Sequence, residues 1–282
     1  VNLPTLLLAS SGPVTTATLR EVLERLGVRH GDALVVHSGL LALGKIGEVR
    51  EKTAFGKAFI DTLLEAIGPA GTLLLPTFSF SFCKSGVYDP AATPSEMGIL
   101  TDVARTLPGA RRTLHPVYSH AVFGAGTAWF LGARTDTSFG EGSIFDRMHG
   151  FSREHEGRLS FLTLGIPRPP EAVTYIHHLE WLAKVPYRHM MEFRGVVRVD
   201  GEEAPARTDF FARNDDARVE FDRDGCWKLW QDAGICRTEN LGDGFACLTH
   251  EEDARRVTLE AIADKPDFLC IGGYAPPHEN GE

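Results

Sequence analysis

Ala33-Leu34-Val35-Val36-His37-Ser38-Gly39 and, further on, Thr72-Leu73-Leu74-Leu75-Pro76-Thr77-Phe78 decide how this chain reads. Each is a short apolar run with no polar alternation, the pattern of a strand covered on both faces, and each ends in polar residues. A helical pattern precedes each run. Between Pro13 and Val28, Leu19, Val22, Leu23 and Leu26 recur at helical spacing, with Thr15 or Thr16 available as a cap and Gly27 to close. From Thr53 to Ile67 the stripe is Phe55, Phe59, Ile60, Leu63, Leu64 and Ile67, broken by Gly68-Pro69-Ala70-Gly71. Helix, strand, helix, strand predicts an α/β fold with a layered, parallel-rich sheet flanked by helices.

Working outward, Ser95 is expected to cap a helix reaching Leu107, followed by strands over Tyr118–Phe123 and Gly157–Ile166. Gly140-Glu141-Gly142-Ser143 reads as a turn with no helix of nucleotide-binding type behind it. A helix is expected from about Glu171 to Lys184. Beyond Pro186 the texture changes. A half-exposed strand over Phe193–Val199, a turn at Asp200-Gly201 and the charged stretch Arg213 to Arg223 suggest a smaller strand-containing C-terminal elaboration. The spacing of Thr249 and Glu252 predicts a capping box for a last helix carrying Ala254, Val257, Ala261 and Ile262. There is no clean linker, so residues 1–282 are read as one domain, with its body over about 13–187 and the elaboration and closing helix over about 188–270.

Composition narrows the function. With 29 Lys+Arg against 38 Asp+Glu, the net charge of −9 disfavours nucleic acid and anionic membranes as partners. No apolar stretch is long enough to span a bilayer, and Val1 to Ser11 lacks the features of a secretory signal, so a soluble cytoplasmic protein is expected. Cys83, Cys226, Cys236, Cys247 and Cys270 are odd in number and widely spaced, which predicts reduced thiols.

Open α/β sheets bind ligands beyond the carboxyl ends of their strands, which singles out His37-Ser38-Gly39-Leu40, Pro76-Thr77-Phe78-Ser79 and the turn after Gly165. On the helix after that turn, Thr174, His177 and Glu180 are three apart and share a surface. A carboxylate beside a histidine can fix its tautomer and support the imidazolium, so His177 is a candidate general base, although the same spacing also describes an ordinary surface pair. The sequence lacks a G-x-S-x-G elbow, an H-E-x-x-H, a P-loop and a dinucleotide fingerprint. His177, His178 and Glu180 could join His37, His115 or His120 around a metal, but no second clustered pair supports this, and no metal is expected.

Val36-His37-Ser38-Gly39-Leu40 is similar to a V-H-S-S-L motif, and Gly68-Pro69-Ala70-Gly71-Thr72-Leu73 with Leu75-Pro76-Thr77-Phe78 to G-P-x-G-T-L-x-M-P-T-F. Then follow Tyr88-Asp89-Pro90, Thr93-Pro94, Met97-Gly98, Pro108-Gly109-Ala110-Arg111-Arg112, His115-Pro116, Ser119 and Phe139-Gly140-Glu141-Gly142-Ser143. Last come Thr174-x-x-His177-x-x-Glu180 and Ala183-Lys184-Val185-Pro186-Tyr187. Taken together and in this order, over about residues 15 to 265, they resemble the aminoglycoside 3-N-acetyltransferase family.

The resemblance implies an acetyl-CoA-dependent N-acetyltransferase acting on a small-molecule amine, an aminoglycoside or related amino sugar, with oligomeric state left open. It implies His177 as base and Glu180 as its orienter, and the chemistry of the step asks for Thr174 or backbone N–H groups as donors to the developing oxyanion. His37, Ser38, Gly39, Leu40, Thr77, Phe78, His115, Pro116 and Ser119 would hold acetyl-CoA. Asp89, Glu96, Glu141, Arg168 and Glu171 would face the acceptor. Two departures stand out. The passage from Gly165 to Thr174 is two residues longer than the family's and carries Arg168 where a carboxylate is expected, leaving Glu171 as the acidic substitute. The family's Ser-Phe after His-Pro is Ser119-His120 here. An arginine there would suit an anionic amine, such as a nucleotide-linked amino sugar or an aminophosphonate. A metal-dependent hydrolase and a non-catalytic binder are the remaining readings.

Overall fold

The computed structural model describes residues 3–214 and 220–274. Strands β1 (Leu7–Ala9) and β2 (Gly12–Val14) form a hairpin before helix α1 (Thr16–Leu26). Then come β3 (Ala33–Ser38), β4 (Lys45–Ile46), α2 (Lys52–Ile67), β5 (Thr72–Pro76), the short α3 (Ser81–Ser85) and β6 (Val87–Tyr88). The middle of the chain holds α4 (Ile99–Ala104), β7 (Arg111–Arg112), β8 (His120–Gly124), α5 (Thr127–Leu131), α6 (Ile144–Glu154), β9 (Leu159–Leu164) and α7 (Tyr175–Leu182). It closes with a long hairpin of β10 (Arg188–Val199) and β11 (Glu202–Arg213), then α8 (Arg223–Asp232), β12 (Arg237–Leu241), β13 (Gly244–His250) and α9 (Glu251–Asp264).

Seven strands make the main sheet in the order β12-β13-β9-β3-β5-β8-β7, and smaller sheets are β2-β1-β4 and β11-β10-β6. The parallel arrangement read from the alternating elements holds at the centre, where β3 runs parallel to both β9 and β5. Both flanks are antiparallel. The sheet is therefore mixed, because β8 runs antiparallel beside β5 and β13 antiparallel beside β9. Val36, Leu73, Leu75 and Leu164 face one core, against α1 and α2; Val35, Leu74, Val122 and Phe161 face the other, against α6, α7 and α9. The second core draws on residues from Ala33 to Cys270, so the chain after the hairpin returns to the body.

Local signals behave as the chemistry of caps predicts at α1. Thr15 accepts from the Thr18 amide in a capping box, and Gly27 closes the helix at φ 88°. Three expectations change. Ser95 does not cap α4, which begins after Gly98; the Ser95 hydroxyl bonds Thr101 Oγ1 instead. Thr249 lies within β13, its hydroxyl donating to Cys236 Sγ, and α9 starts from His250 with no side-chain cap. Ser143, read as part of a turn, is the N-cap of α6 and accepts from the Asp146 amide. The middle of the charged stretch Arg213 to Arg223, residues 215–219, lies outside the described residues.

Candidate active site

The C-terminal ends of the parallel strands β3, β5 and β9 lie side by side at one edge of the main sheet. Gly165, at φ 69°, turns the chain out of β9 so close to β3 that a Cβ there would lie 2.6 Å from the Gly39 carbonyl oxygen. A 3-10 turn over Pro169–Glu171 then leads into α7, which is shorter than the helical spacing suggested because Pro169 and Pro170 shape its approach. Thr174 sits at the N-cap in helical conformation, and its hydroxyl makes no cap bond.

His177 and Glu180 meet one turn apart, with His177 Nδ1 2.5 Å from Glu180 Oε2. The other carboxylate oxygen, Oε1, accepts from the Tyr187 hydroxyl at 2.8 Å. Arg188 brings Nε to 2.9 Å from Oε2 as an ion pair, while its Nη1 donates to the Phe211 carbonyl. Glu180 is almost wholly buried, and burial by itself would raise its pKa; the charges of His177 and Arg188 and the Tyr187 hydrogen bond outweigh that and hold it below the ordinary value. Nδ1 of His177 lies between the Glu180 carboxylate, an acceptor at 2.5 Å, and Arg188 Nη2, a donor at 3.2 Å; the closer carboxylate takes the Nδ1 hydrogen, which leaves the lone pair on Nε2. His177 is about one-third exposed and lines a cavity of about 380 Å³, so a base with a defined tautomer faces open volume. Behind it, Tyr175 donates to the buried carboxylate of Glu251, which also meets His149, and so ties the first turn of α7 to α9 and α6.

The strand-end residues divide into two groups. His37, Ser38 and Gly39 are half-buried at the end of β3, and Phe78 lines the cavity. Burial lowers the His37 pKa to about 4. By contrast Leu40, Thr77, His115, Pro116 and Ser119 are buried. Arg112 Nε donates to both Thr77 Oγ1 and Ser119 Oγ, its Nη2 to the Thr77 carbonyl, and its Nη1 to the carbonyls of Pro90 and Thr93. His115 accepts the Val117 and Tyr118 amides on Nδ1, and Nε2 donates to Thr208 Oγ1 on β11. Burial pulls its pKa to about 3.

Of the residues expected to face the acceptor, Glu171 lines the cavity, where Arg223 pairs with it at 3.3 Å. The others are spread elsewhere. Asp89 accepts the Ala91 and Ala92 amides in its own turn. Glu96 accepts from Ser79 Oγ and the Phe80 amide. Glu141 is exposed before α6. Arg168 is ion-paired with Asp224, so its charge is balanced outside the cavity. Sequence reasoning missed Arg188, Phe210, Phe211, Phe221 and Arg223, which the hairpin and the start of α8 bring to the cavity. The one available signal was adjacency: Arg188 follows Tyr187 directly, at the end of the last matching motif.

Among the described residues, no group of three or more His, Cys, Asp or Glu is placed to hold a metal ion, and no helix is long and apolar enough to cross a membrane.

Residues 35–262 match the family model described as aminoglycoside 3-N-acetyltransferase. The chain is 30% identical over 217 residues to aminoglycoside N(3)-acetyltransferase VII of Streptomyces paromomycinus, covering 70% of each chain. It is 30% identical over 249 residues to aminoglycoside N(3)-acetyltransferase IV of a Salmonella species, covering 86% of this chain and 84% of the relative. Among solved structures, aminoglycoside acetyltransferase AAC(3)-Xa superposes with a TM-score of 0.76 at 26% identity, over 93% of this chain and 96% of that one. AAC-IIIb, solved as a binary complex with CoASH, shares the fold with a TM-score of 0.72 at 21% identity, over 89% and 97%.

Proposed function

The chain belongs to the aminoglycoside 3-N-acetyltransferase family and is an N-acetyltransferase, and from that premise we propose that His177 is the general base in an acetyl transfer from acetyl-CoA to an amine of an aminoglycoside or related amino sugar. One observation carries the reading: His177 lines the cavity while its Nδ1 is held by a buried, ionised Glu180.

When bound, acetyl-CoA supplies the acetyl thioester that the amine attacks. An alkylammonium has no lone pair, so His177 Nε2 takes a proton from the acceptor nitrogen, and the imidazolium that forms is stabilised by Glu180 Oε2. Tyr187 and Arg188 keep that carboxylate ionised and in place. Thr174, whose hydroxyl caps nothing, lines the same cavity and is a donor for negative charge developing on the carbonyl oxygen.

His37, Ser38, Gly39 and Phe78 would offer the contact surface for acetyl-CoA, with Leu40, Thr77, His115, Pro116 and Ser119 holding that surface in shape. The same strand ends fit an amide-rich arm: His120 Nε2 and Thr163 Oγ1 are buried there without hydrogen-bond partners. The test is release of CoA, read with a thiol reagent, on adding amines to the protein and acetyl-CoA. Wild type is expected to release CoA, and His177→Ala to lose release by about 10²–10⁴ while still binding CoA. Normal turnover by His177→Ala would refute the assignment.

A further inference from the structure

Helix α7 carries the base, yet its own sequence fixes little of its orientation. It is eight residues long, Thr174 gives it no side-chain cap, and a 3-10 turn leads into it. Helices shorter than about 12–15 residues owe their stability to what they pack against. The two faces of α7 have different neighbours. Thr174 and His177, three apart, line the cavity. Tyr175 and His178, also three apart, are turned into the protein, their ring centroids 5.3 Å from each other and that of Tyr175 5.1 Å from Phe161 on β9.

The buried face is held at two points. Tyr175, the first residue of α7 and 2% exposed, donates its hydroxyl to Oε1 of Glu251, the first residue of α9 and wholly buried. Burial and the neighbouring Glu251 charge raise the phenol well above its ordinary pKa, so it stays a donor. His149 on α6 brings Nδ1 to 3.1 Å from the same oxygen, so three helices converge on one carboxylate. The second point lies one turn on, where His178 Nδ1 donates to the Phe139 carbonyl at 2.8 Å.

We propose that Tyr175 is a positioning residue whose bond to Glu251 sets the rotation of α7 and so aims His177 at the acceptor nitrogen. The proposal rests on His177 being the base. A side-chain tip lies about 5–6 Å from a helix axis, so a rotation of about 10° carries it about 1 Å. A misplacement of about 1 Å can cost about 10²-fold in rate. Tyr175→Phe keeps the ring and its packing and removes only the bond.

CoA release is measured with gentamicin and kanamycin as acceptors, in wild type, Tyr175→Phe, His177→Ala and the double variant carrying both substitutions. Tyr175→Phe is expected to lower kcat at least about tenfold, with KM for acetyl-CoA and for the amine within about twofold of wild type. Added to His177→Ala, it should cost less than about twofold, because no base remains to be aimed. A general loosening of the fold would cost the same in both backgrounds. Thermal melts confirm that each variant is folded. Should Tyr175→Phe not fold, Glu251→Met removes the acceptor in place of the donor and serves the same comparison. A smaller loss of kcat, or an equal loss in both backgrounds, overturns the proposal while His177→Ala remains impaired. Normal turnover by His177→Ala overturns the base assignment itself, and absence of release by wild type overturns both.

Discussion

Lowering the pH from 7 to 5 should cost this protein most of its folding stability, through three fully buried histidines, with half-buried His37, also lowered to about 4, adding to the loss, rather than through its carboxylates. His115 and His120 are at most 2% exposed, with pKa values pulled by burial to about 3. His178, equally buried, is pulled to about 4, its Nδ1 donating to the Phe139 carbonyl. The ordinary value for each is 6.5. The unfolded chain therefore takes up protons below pH 6.5 that the folded chain refuses until pH 4 to 3, so stability falls as pH falls through that window. Each histidine contributes RT ln(1 + 10^(6.5 − pH)), which for three gives a loss of about 2 kcal/mol between pH 7 and 6 and about 5–6 kcal/mol by pH 5. That compares with a net stability of about 5–15 kcal/mol for a typical domain. Glu180, held below its ordinary pKa, adds a further loss only in stronger acid, as the pH falls through its folded value.

The assay is urea unfolding followed by circular dichroism at half-unit steps from pH 7.5 to 5, with the slope of stability against pH giving the protons taken up on unfolding. Nearly three are expected at pH 5.5 from these three, and up to about one more from His37. His120→Phe isolates one of them. His120 packs edge-on between Phe78 and Phe145, and its Nε2 has no partner, so a phenyl ring fits the surroundings and should remove about a third of the slope. A change below about 0.5 kcal/mol between pH 7 and 6, or an unchanged slope in His120→Phe, would refute the reasoning.

Glu180→Gln should lower kcat at least about 100-fold, because the imidazolium loses its counter-charge, and should destabilise the fold by about 3 kcal/mol by leaving the buried Arg188 guanidinium without its counter-charge; steady-state kinetics and a thermal melt read the two effects separately. Arg112→Met removes the donors to Thr77, Ser119, Pro90 and Thr93 together, so a loss of at least about 3 kcal/mol is expected in urea unfolding, with acetyl-CoA affinity falling in equilibrium binding. Gly195→Ala should loosen the hairpin from β6, since a Cβ there would lie 1.9 Å from the Gly86 carbonyl oxygen. Faster hydrogen exchange at Val196, whose amide donates to that carbonyl, is the expected readout, and unchanged protection would count against it.

Much of this was legible in order along the chain. The strands over Ala33–Ser38 and Thr72–Pro76 announce themselves by unbroken apolar runs, and α1 and α2 by their stripes and terminating glycines, because those signals are local. The short α4 and the cap of α9 were misread for the same reason. Ser95 and Thr249 have cap-forming side chains, but the Thr101 hydroxyl one turn into α4 and Cys236 on the neighbouring segment claim their hydroxyls.

At the site, Thr174, His177 and Glu180 could be grouped from sequence alone because a helix converts a spacing of three into contact. Nothing local pairs Arg188 with Glu180, sets Phe210 against Tyr118, or occupies Arg168 with Asp224 and Arg112 with Thr77 and Ser119. Arg112 with Thr77, Arg168 with Asp224 and Phe210 with Tyr118 join segments far apart in the chain, and even Arg188 with Glu180 needs the turn between α7 and β10 to bring them together. The sequence by itself determined the layered α/β body and the family's motifs, through periodicity and nearest neighbours. Tertiary structure decided which polar groups are consumed inside the protein and which remain to face the cavity, because a charge's availability depends on every group that packs around it.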